Sequence, residues 1–427
     1  MFRRLIRTVA STSAAHATTA AVTIAQAAVL AQGLGPDRYG MVAIFVGVQR
    51  SASVIGSFES WQVLTRELSA GGRSDPLGAY RRARSLDVLG ASVAAVAAAC
   101  LAGALHAMGR LPEHHVLVFV LLLAAAAAAA VSAPVGTLRM AGRFTVVPLV
   151  RLACASILLA AFWGMSRTDA LSVEAVVAAY AASELAYAAV LAVLAAAERR
   201  STQRAPESQG REAVPGSWWT TLRSNDWRLV RYAYLHSTLK IGIREFDVIV
   251  ASVLLDNREL GYFRLVKQLA SGVGAVSLPL FQVLFPELAR LSDASDRGRF
   301  VRLLRFSVYF GAAIGATVVA VAALAGVPVI AALFGPAFVP AHGPLMIWLA
   351  GTAISFATIG MHPAQLALGQ AGASFRALLT ATAAYYAAVA AWAPAWGLHG
   401  FALAFVVFYL VWTLLQGLSL AHRLKTP

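Results

Sequence analysis

Apolar runs of about 20 residues recur along the chain, each long enough to cross a hydrocarbon core of about 30 Å as a helix. They predict helices over residues 8–33, 39–62, 84–108, 114–135, 145–165, 172–197, 229–255, 261–288, 301–326, 341–363, 373–394 and 397–421. The runs are rich in Ala, Leu and Val and lack strict alternation, so barrel strands, the other way to satisfy backbone polar groups in lipid, do not match. The pattern therefore predicts an all-α polytopic membrane protein of about twelve transmembrane helices.

Composition agrees. Of 427 residues, 59% are hydrophobic and 13% charged, and the mean hydropathy of +0.69 is too high for a water-soluble domain to bury. The net charge of +15 raises nucleic acid as a partner, but its placement excludes it. With the N-terminus inside, the basic residues crowd one side: Arg3, Arg4 and Arg7, the Arg81–Arg84 group, Arg139, Arg143, Arg151, the arginines from Arg199 to Arg231 and from Arg290 to Arg305, then Arg376, Arg423 and Lys425. The opposite side holds Arg38, Arg110, Arg167 and Arg258. This asymmetry predicts cytoplasmic N- and C-termini, with the basic face against anionic headgroups. The N-terminal MFRRLIR has the positive start of a leader but no convincing cleavage site, and reads as the start of a retained first helix. Cys100 and Cys154 lie in apolar runs without metal-ligand spacing and read as core residues.

Residues 199–228 form the longest polar stretch, rich in Pro, Ser and Gly, and divide the chain into an N-terminal lobe (1–198), a cytoplasmic linker and a C-terminal lobe (229–427). An internal repeat supports this division. LGPDRYG (34–40) and LDNRELG (255–261) share spacing, each closing the first helix of a half and opening the second. QVLTREL (62–68) and QVLFPEL (282–288) match about one helix later. A parallel duplication predicts two pseudo-twofold-related six-helix lobes about a cleft.

Charge at bilayer depth is costly, so intramembrane bases and acids mark either a polar pathway or structural pairs. His236, Lys240, Arg244 and Asp247 fall on one stripe of the seventh helix, with Glu245 beside it. Arg264, Lys267, Gln268 and Ser271 form a similar stripe on the eighth. The repeat register sets Thr19, Thr23 and Gln26 of the first helix opposite Lys240, Arg244 and Asp247, and Arg50 with Gln49 is the polar pair of the second. Together these predict a polar, net-basic lining. Glu59 and Glu184 are the remaining helical acids, and mutual pairing is the competing reading for every one of these charges.

Other signals are weaker. His114 and His115 read as solvated loop residues, and Asp293 and Asp296 as part of a charged loop. Gly311 and Gly315 make a GxxxG that reads as close helix packing. Pro148, Pro279, Pro286 and Pro363 could kink helices. No P-loop, nucleophile elbow or metal-ligand cluster is present in the sequence, so the expected activity is transport and not an enzymatic reaction.

LGPDRYGMVAIF (34–45), REFDVIVASVLLDNRELGYFRLVKQL (244–269) and LFQVLFPELARL (280–291) resemble the polysaccharide transporters of the multidrug/oligosaccharidyl-lipid/polysaccharide (MOP) flippase superfamily, which include the O-antigen flippases. The resemblance covers essentially the whole chain and implies a MATE/MOP-like fold in the bacterial inner membrane. It implies a cargo of lipid-linked oligosaccharide on undecaprenyl pyrophosphate, with membrane lipids and glycan polymerase or export proteins as candidate partners. The family's helix-seven acid corresponds to Asp247. No cofactor or metal is implied; Asp247 and Glu245 are the candidates for coupling to protons or a monovalent cation. A pyrophosphate suits Arg50, Lys240, Arg244, Arg264 and Lys267, with Gln49, Thr19, Thr23 and Gln26 as polar lining. A MATE-like drug or organic-cation antiporter is the alternative, and it favours a net-acidic cavity. A membrane glycan polymerase or ligase would call for a large outer loop, which the topology lacks.

Overall fold

The computed structural model describes residues 2–58, 60–61, 64, 76–111, 115–203, 245–274, 284, 287–292 and 296–425, and nearly all of them are helical. The elements are α1 (Phe2–Gly56), α2 (Pro76–Ala107), α3 (His115–Ala129), α4 (Ser132–Met140), α5 (Val146–Arg167), α6 (Val173–Gln203), α7 (Asn257–Gly274), α8 (Arg297–Phe334), a 3₁₀ turn (Pro336–Ala341), α9 (His342–Ala357), α10 (Met361–Ala367) and α11 (Ala371–Lys425). Residues 245–254 add a helical stretch before α7. Among the described residues eight segments are long and apolar enough to cross a membrane. Large apolar side chains such as Leu324, 86% exposed on α8, and Ile157 on α5 face outward, where lipid rather than water must receive them. The chain is a multi-pass membrane protein.

The two longest helices are broken where the sequence permits reversal. In α1 the break is at Gly35 (φ 71, ψ 172), just before Pro36; in α11 it is at Gly397 (φ 52, ψ −131), three residues after Pro394. Positive φ is open to glycine at no steric cost, and Pro36, which has no N–H to bond back across the break, starts the second limb of α1. Each broken helix thus supplies two limbs. Two further helices expected to be continuous are not. The fourth expected helix, 114–135, is split between α3 and α4, and the tenth, 341–363, stops at Ala357 and restarts at Met361. The second expected helix, 39–62, ends at Gly56, and the ninth, 301–326, extends over Arg297–Phe334.

Two compact units are formed, and chain order does not set their membership. The first comprises Met1–Ala15 and Met41–Val253, the second His16–Gly40 and Leu254–Pro427. In the first unit α3 packs on α2 and α6, and α6 also carries α4 and α5. In the second, α9 is central and packs on α7, α8 and α11. The expected GxxxG contact is realised there: a Cβ at Gly311 would lie 1.9 Å from the Phe356 carbonyl oxygen, and one at Gly315 2.8 Å from Ala353. Small residues let α8 and α9 approach to backbone contact. Trp348 of α9 stacks on Phe405 of α11 at 4.0 Å and meets Phe263 of α7 edge-on at 5.7 Å, closing the aromatic core.

Candidate functional site

The repeated heptapeptides meet each other. A Cβ at Gly40, the last residue of the first copy, would lie 1.8 Å from the carbonyl oxygen of Asn257, third in the second copy; a Cβ at Gly261 would lie 2.2 Å from the carbonyl oxygen of Pro36, third in the first. Asp37 and Arg258, the fourth residues of each, pair at 3.2 Å. Equivalent positions therefore make equivalent contacts, as across a twofold axis. The second expected repeat pair, 62–68 and 282–288, lies largely outside the described residues.

From this junction, in the second unit, residues 16–40 and α7 run antiparallel. Arg264 places its guanidinium 5.4 Å from the Tyr39 ring centroid, Gln268 Nε2 donates to Thr23 Oγ1 at 3.0 Å, and Gly272 abuts Ile24. The Thr23 hydroxyl itself donates to the Ala20 carbonyl at 2.9 Å. Lys267 Nζ lies 5.5 Å from the Phe263 ring centroid. Cation–π contact of this kind stabilises a base that has left bulk water. Arg264, Lys267 and Gln268 are half-buried, Thr19 and Thr23 likewise, and Gln26 is fully buried. The expected polar stripes of the first and eighth helices thus share one seam.

Gln49, Arg50, Glu245 and Asp247 belong to the first unit. Gln49 is buried and, with Val46, Leu121, Ala124, Val177 and Tyr180, lines a small recess. Arg50 is exposed, Glu245 half-buried, and Asp247 only 4% exposed. The 41–56 limb and the helical stretch carrying Glu245 and Asp247 are in close contact, since a Cβ at Gly47 would lie 2.7 Å from Val248 Cγ1. Arg110 supports the far end of that stretch, donating to the Ser252 and Val253 carbonyls. Lys240, Arg244 and His236 lie outside the described residues, as do Glu59 and His114.

Some charges are structural pairs. Glu184 of α6 binds Arg151 of α5 at 2.7 Å, and that guanidinium also lies 4.0 Å from the Tyr187 ring centroid. Arg143 pairs with Glu198 at 2.9 Å. The pairing reading holds for Glu184.

Asp87 of α2, 2% exposed, is a polar centre that the sequence reading passes over. It accepts the Ser60 hydroxyl and, at 2.8 Å, the Ala133 backbone N–H at the start of α4. Arg84, one turn earlier, donates to the Ala130 carbonyl at 2.6 Å. Arg84 and Asp87 together take the backbone groups that the α3–α4 break frees. An Arg-x-x-Asp spacing at the start of an apolar run was the available signal, since i and i+3 share a helix face. Among the described residues no group of three or more His, Cys, Asp or Glu is placed to hold a metal ion.

No family model and no curated protein sequence matches the chain. Solved structures do. The lipid II flippase MurJ, in an inward closed conformation, is 12% identical with a TM-score of 0.73, over 96% of this chain and 87% of that one. An inward-facing multidrug resistance MATE family transporter of the MOP superfamily is 14% identical with a TM-score of 0.67, over 95% and 94%. A MOP superfamily transporter from Pyrococcus furiosus, described as having a binding pocket of reverse polarity that suggests a different function, is 14% identical with a TM-score of 0.61, over 98% and 95%. At these identities the likeness is one of fold, and the fold of this chain is the polytopic all-α fold of the MATE and MOP transporters.

Proposed function

We propose that the chain is a flippase that moves a lipid-linked oligosaccharide or polysaccharide repeat unit, carried on undecaprenyl pyrophosphate, across the bacterial inner membrane by alternating access. The observation that carries this reading is the seam of the second unit, where Arg264 and Lys267 sit half-buried beside aromatic rings and the Thr23–Gln268 hydrogen bond. Two bases and neutral hydrogen-bonding groups suit a pyrophosphate and its first sugar, which need charge and donors together. Thr19 and Gln26 add neutral lining to this seam, and Arg50, Lys240, Arg244 and Gln49 are the candidate cargo contacts of the rest of the chain. Asp247 or Glu245 takes up a proton or a monovalent cation to bias the cycle, because a carboxylate at this depth changes its energy greatly with charge state. The fold is shared with a protein named as a lipid II flippase, which supports a lipid-linked cargo.

The fold is equally shared with a multidrug MATE transporter, so an organic-cation antiporter is the second reading. The polarity of the site, not the fold, distinguishes the two. Vesicles containing the purified protein and a labelled lipid-linked oligosaccharide test the proposal. Flipping predicts protein-dependent exposure of the glycan on the opposite leaflet, lost in Arg264→Gln, Lys267→Gln and Arg244→Gln variants that still insert and fold. Exposure at the rate of protein-free vesicles, together with counter-ion-driven uptake of a cationic dye, would favour the antiporter.

A further inference from the structure

The second unit also buries a group of polar side chains that the proposed transport site does not use. They lie beside the helix break at Thr358–Gly360, inside the apolar segment Pro336–Ala367. His362, just past the break, stands against Trp412 of α11 with ring centroids 6.3 Å apart, and its Nδ1 lies 2.9 Å from Ser374 Oγ. Gln365 is one turn further along the same face of α10, and Gln416 is one turn beyond Trp412. Gln370 Nε2 donates to the Ser419 carbonyl at 3.4 Å, and the Ser419 hydroxyl donates back to Gln370 Oε1 at 3.2 Å. The two segments therefore meet at 362 beside 412 and again at 370 beside 419, and Gln365 and Gln416 fall between these two contacts along their segments.

Gln365 is 0% exposed and Gln416 2%. Both amide atoms of Gln365, Nε2 of Gln416 and the indole Nε1 of Trp412 are buried with no hydrogen-bonding partner among the described residues. Polar atoms buried away from water without a partner are strongly disfavoured, and a protein of ordinary stability does not leave four of them unmet on two neighbouring segments. The backbone adds a second, independent sign: a break within a span is tolerated where it is buried in protein or lines water.

We propose that the seam between α10 and the second limb of α11 is an internal hydration site, in which ordered water bridges the Gln365 amide to the Trp412 indole and the Gln416 amide. The unmet groups are neutral and include both donors and an acceptor. That matches water, which makes about three hydrogen bonds in a buried site, better than a metal ion or a strong anion. Trp348 of the same unit provides the contrast, being buried and packed between the rings of Phe405 and Phe263.

X-ray hydroxyl-radical footprinting of the full-length protein in lipid nanodiscs tests this, because radicals born from bound water oxidise the side chains that touch it. Trp412 is expected to oxidise several-fold faster than Trp348. The Gln365→Leu, Gln416→Leu double variant is expected to bring Trp412 down toward the Trp348 rate with the elution volume unchanged. Equal rates at Trp412 and Trp348 in the wild-type protein overturn the proposal whether or not the variant folds. A fast Trp412 that stays fast in a folded double variant overturns it as well.

Discussion

Replacing Gly261 by alanine tests the junction of the two repeats. The new methyl carbon would lie 2.2 Å from the Pro36 carbonyl oxygen, where ordinary contact begins at 3.4 Å. The obstacle is backbone on both sides, so no side chain can swing away. Forcing an extra methyl into such a contact costs about 1–3 kcal/mol. Gly40→Ala, at 1.8 Å from the Asn257 carbonyl oxygen, is expected to cost at least as much. The Asp37–Arg258 pair at the same junction has both side chains more than half exposed, so Asp37→Asn is expected to cost under about 1 kcal/mol. Backbone packing and not the ion pair therefore holds the junction. Thermal unfolding in detergent, followed by the monodisperse fraction on size exclusion, measures the order: Gly40→Ala and Gly261→Ala well below wild type, Asp37→Asn close to it. The double glycine variant should lose less than the two single losses combined, because both act at one contact. Gly417→Ala, on α11 with nothing within 4 Å of its Cβ, should be neutral or gain up to about 1 kcal/mol. A Gly261→Ala protein that melts with wild type would refute the reciprocal junction.

Two further outcomes follow from the first unit. Asp87→Ala leaves the Ser60 hydroxyl and the Ala133 N–H without their acceptor and should destabilise by about 2–4 kcal/mol, whereas Asp87→Asn keeps an acceptor oxygen and should lose less; thermal unfolding of the two variants side by side checks the difference. A double-mutant cycle on Arg151 and Glu184 should return a coupling of about 1–2 kcal/mol, below that of a fully buried pair because the Arg151 side chain is 42% exposed; zero coupling would make the contact incidental.

Much of the fold is legible in the sequence because lipid imposes a simple rule, a run of about 20 apolar residues for each crossing. The turns at 34–40 and 255–261 were legible for another reason: glycine, proline and charged residues interrupt the apolar pattern there and announce themselves twice. The break between α3 and α4 was not, since it falls in a run of alanines with no glycine or proline until Pro134. What fixes it is the distant Arg84–Asp87 pair, a tertiary contact that no local pattern reports. The grouping of residues 16–40 with the second unit was hidden similarly, because one apolar helix face packs about as well as another and only detailed fits such as Gly40 on Asn257 decide. At the candidate site, spacing identified Arg264, Lys267 and Gln268 as members of a polar stripe and the repeat register pointed to Thr23, and the structure brings Thr23 to Gln268. Spacing could not say which intramembrane charges are already neutralised, as Glu184 is by Arg151.

The proposed cargo and its competitor differ in the sign of their charge. Binding of a fluorescent undecaprenyl-pyrophosphate glycan to the purified protein in neutral-lipid nanodiscs, in competition with a lipophilic organic cation, addresses it directly. A flippase for an anionic glycan lipid gives saturable binding of that lipid that salt weakens, that Arg264→Gln with Lys267→Gln weakens at least tenfold, and that the cation does not displace. Tight binding of the cation, with the glycan lipid held no better than an uncharged prenyl alcohol, would contradict the flippase reading.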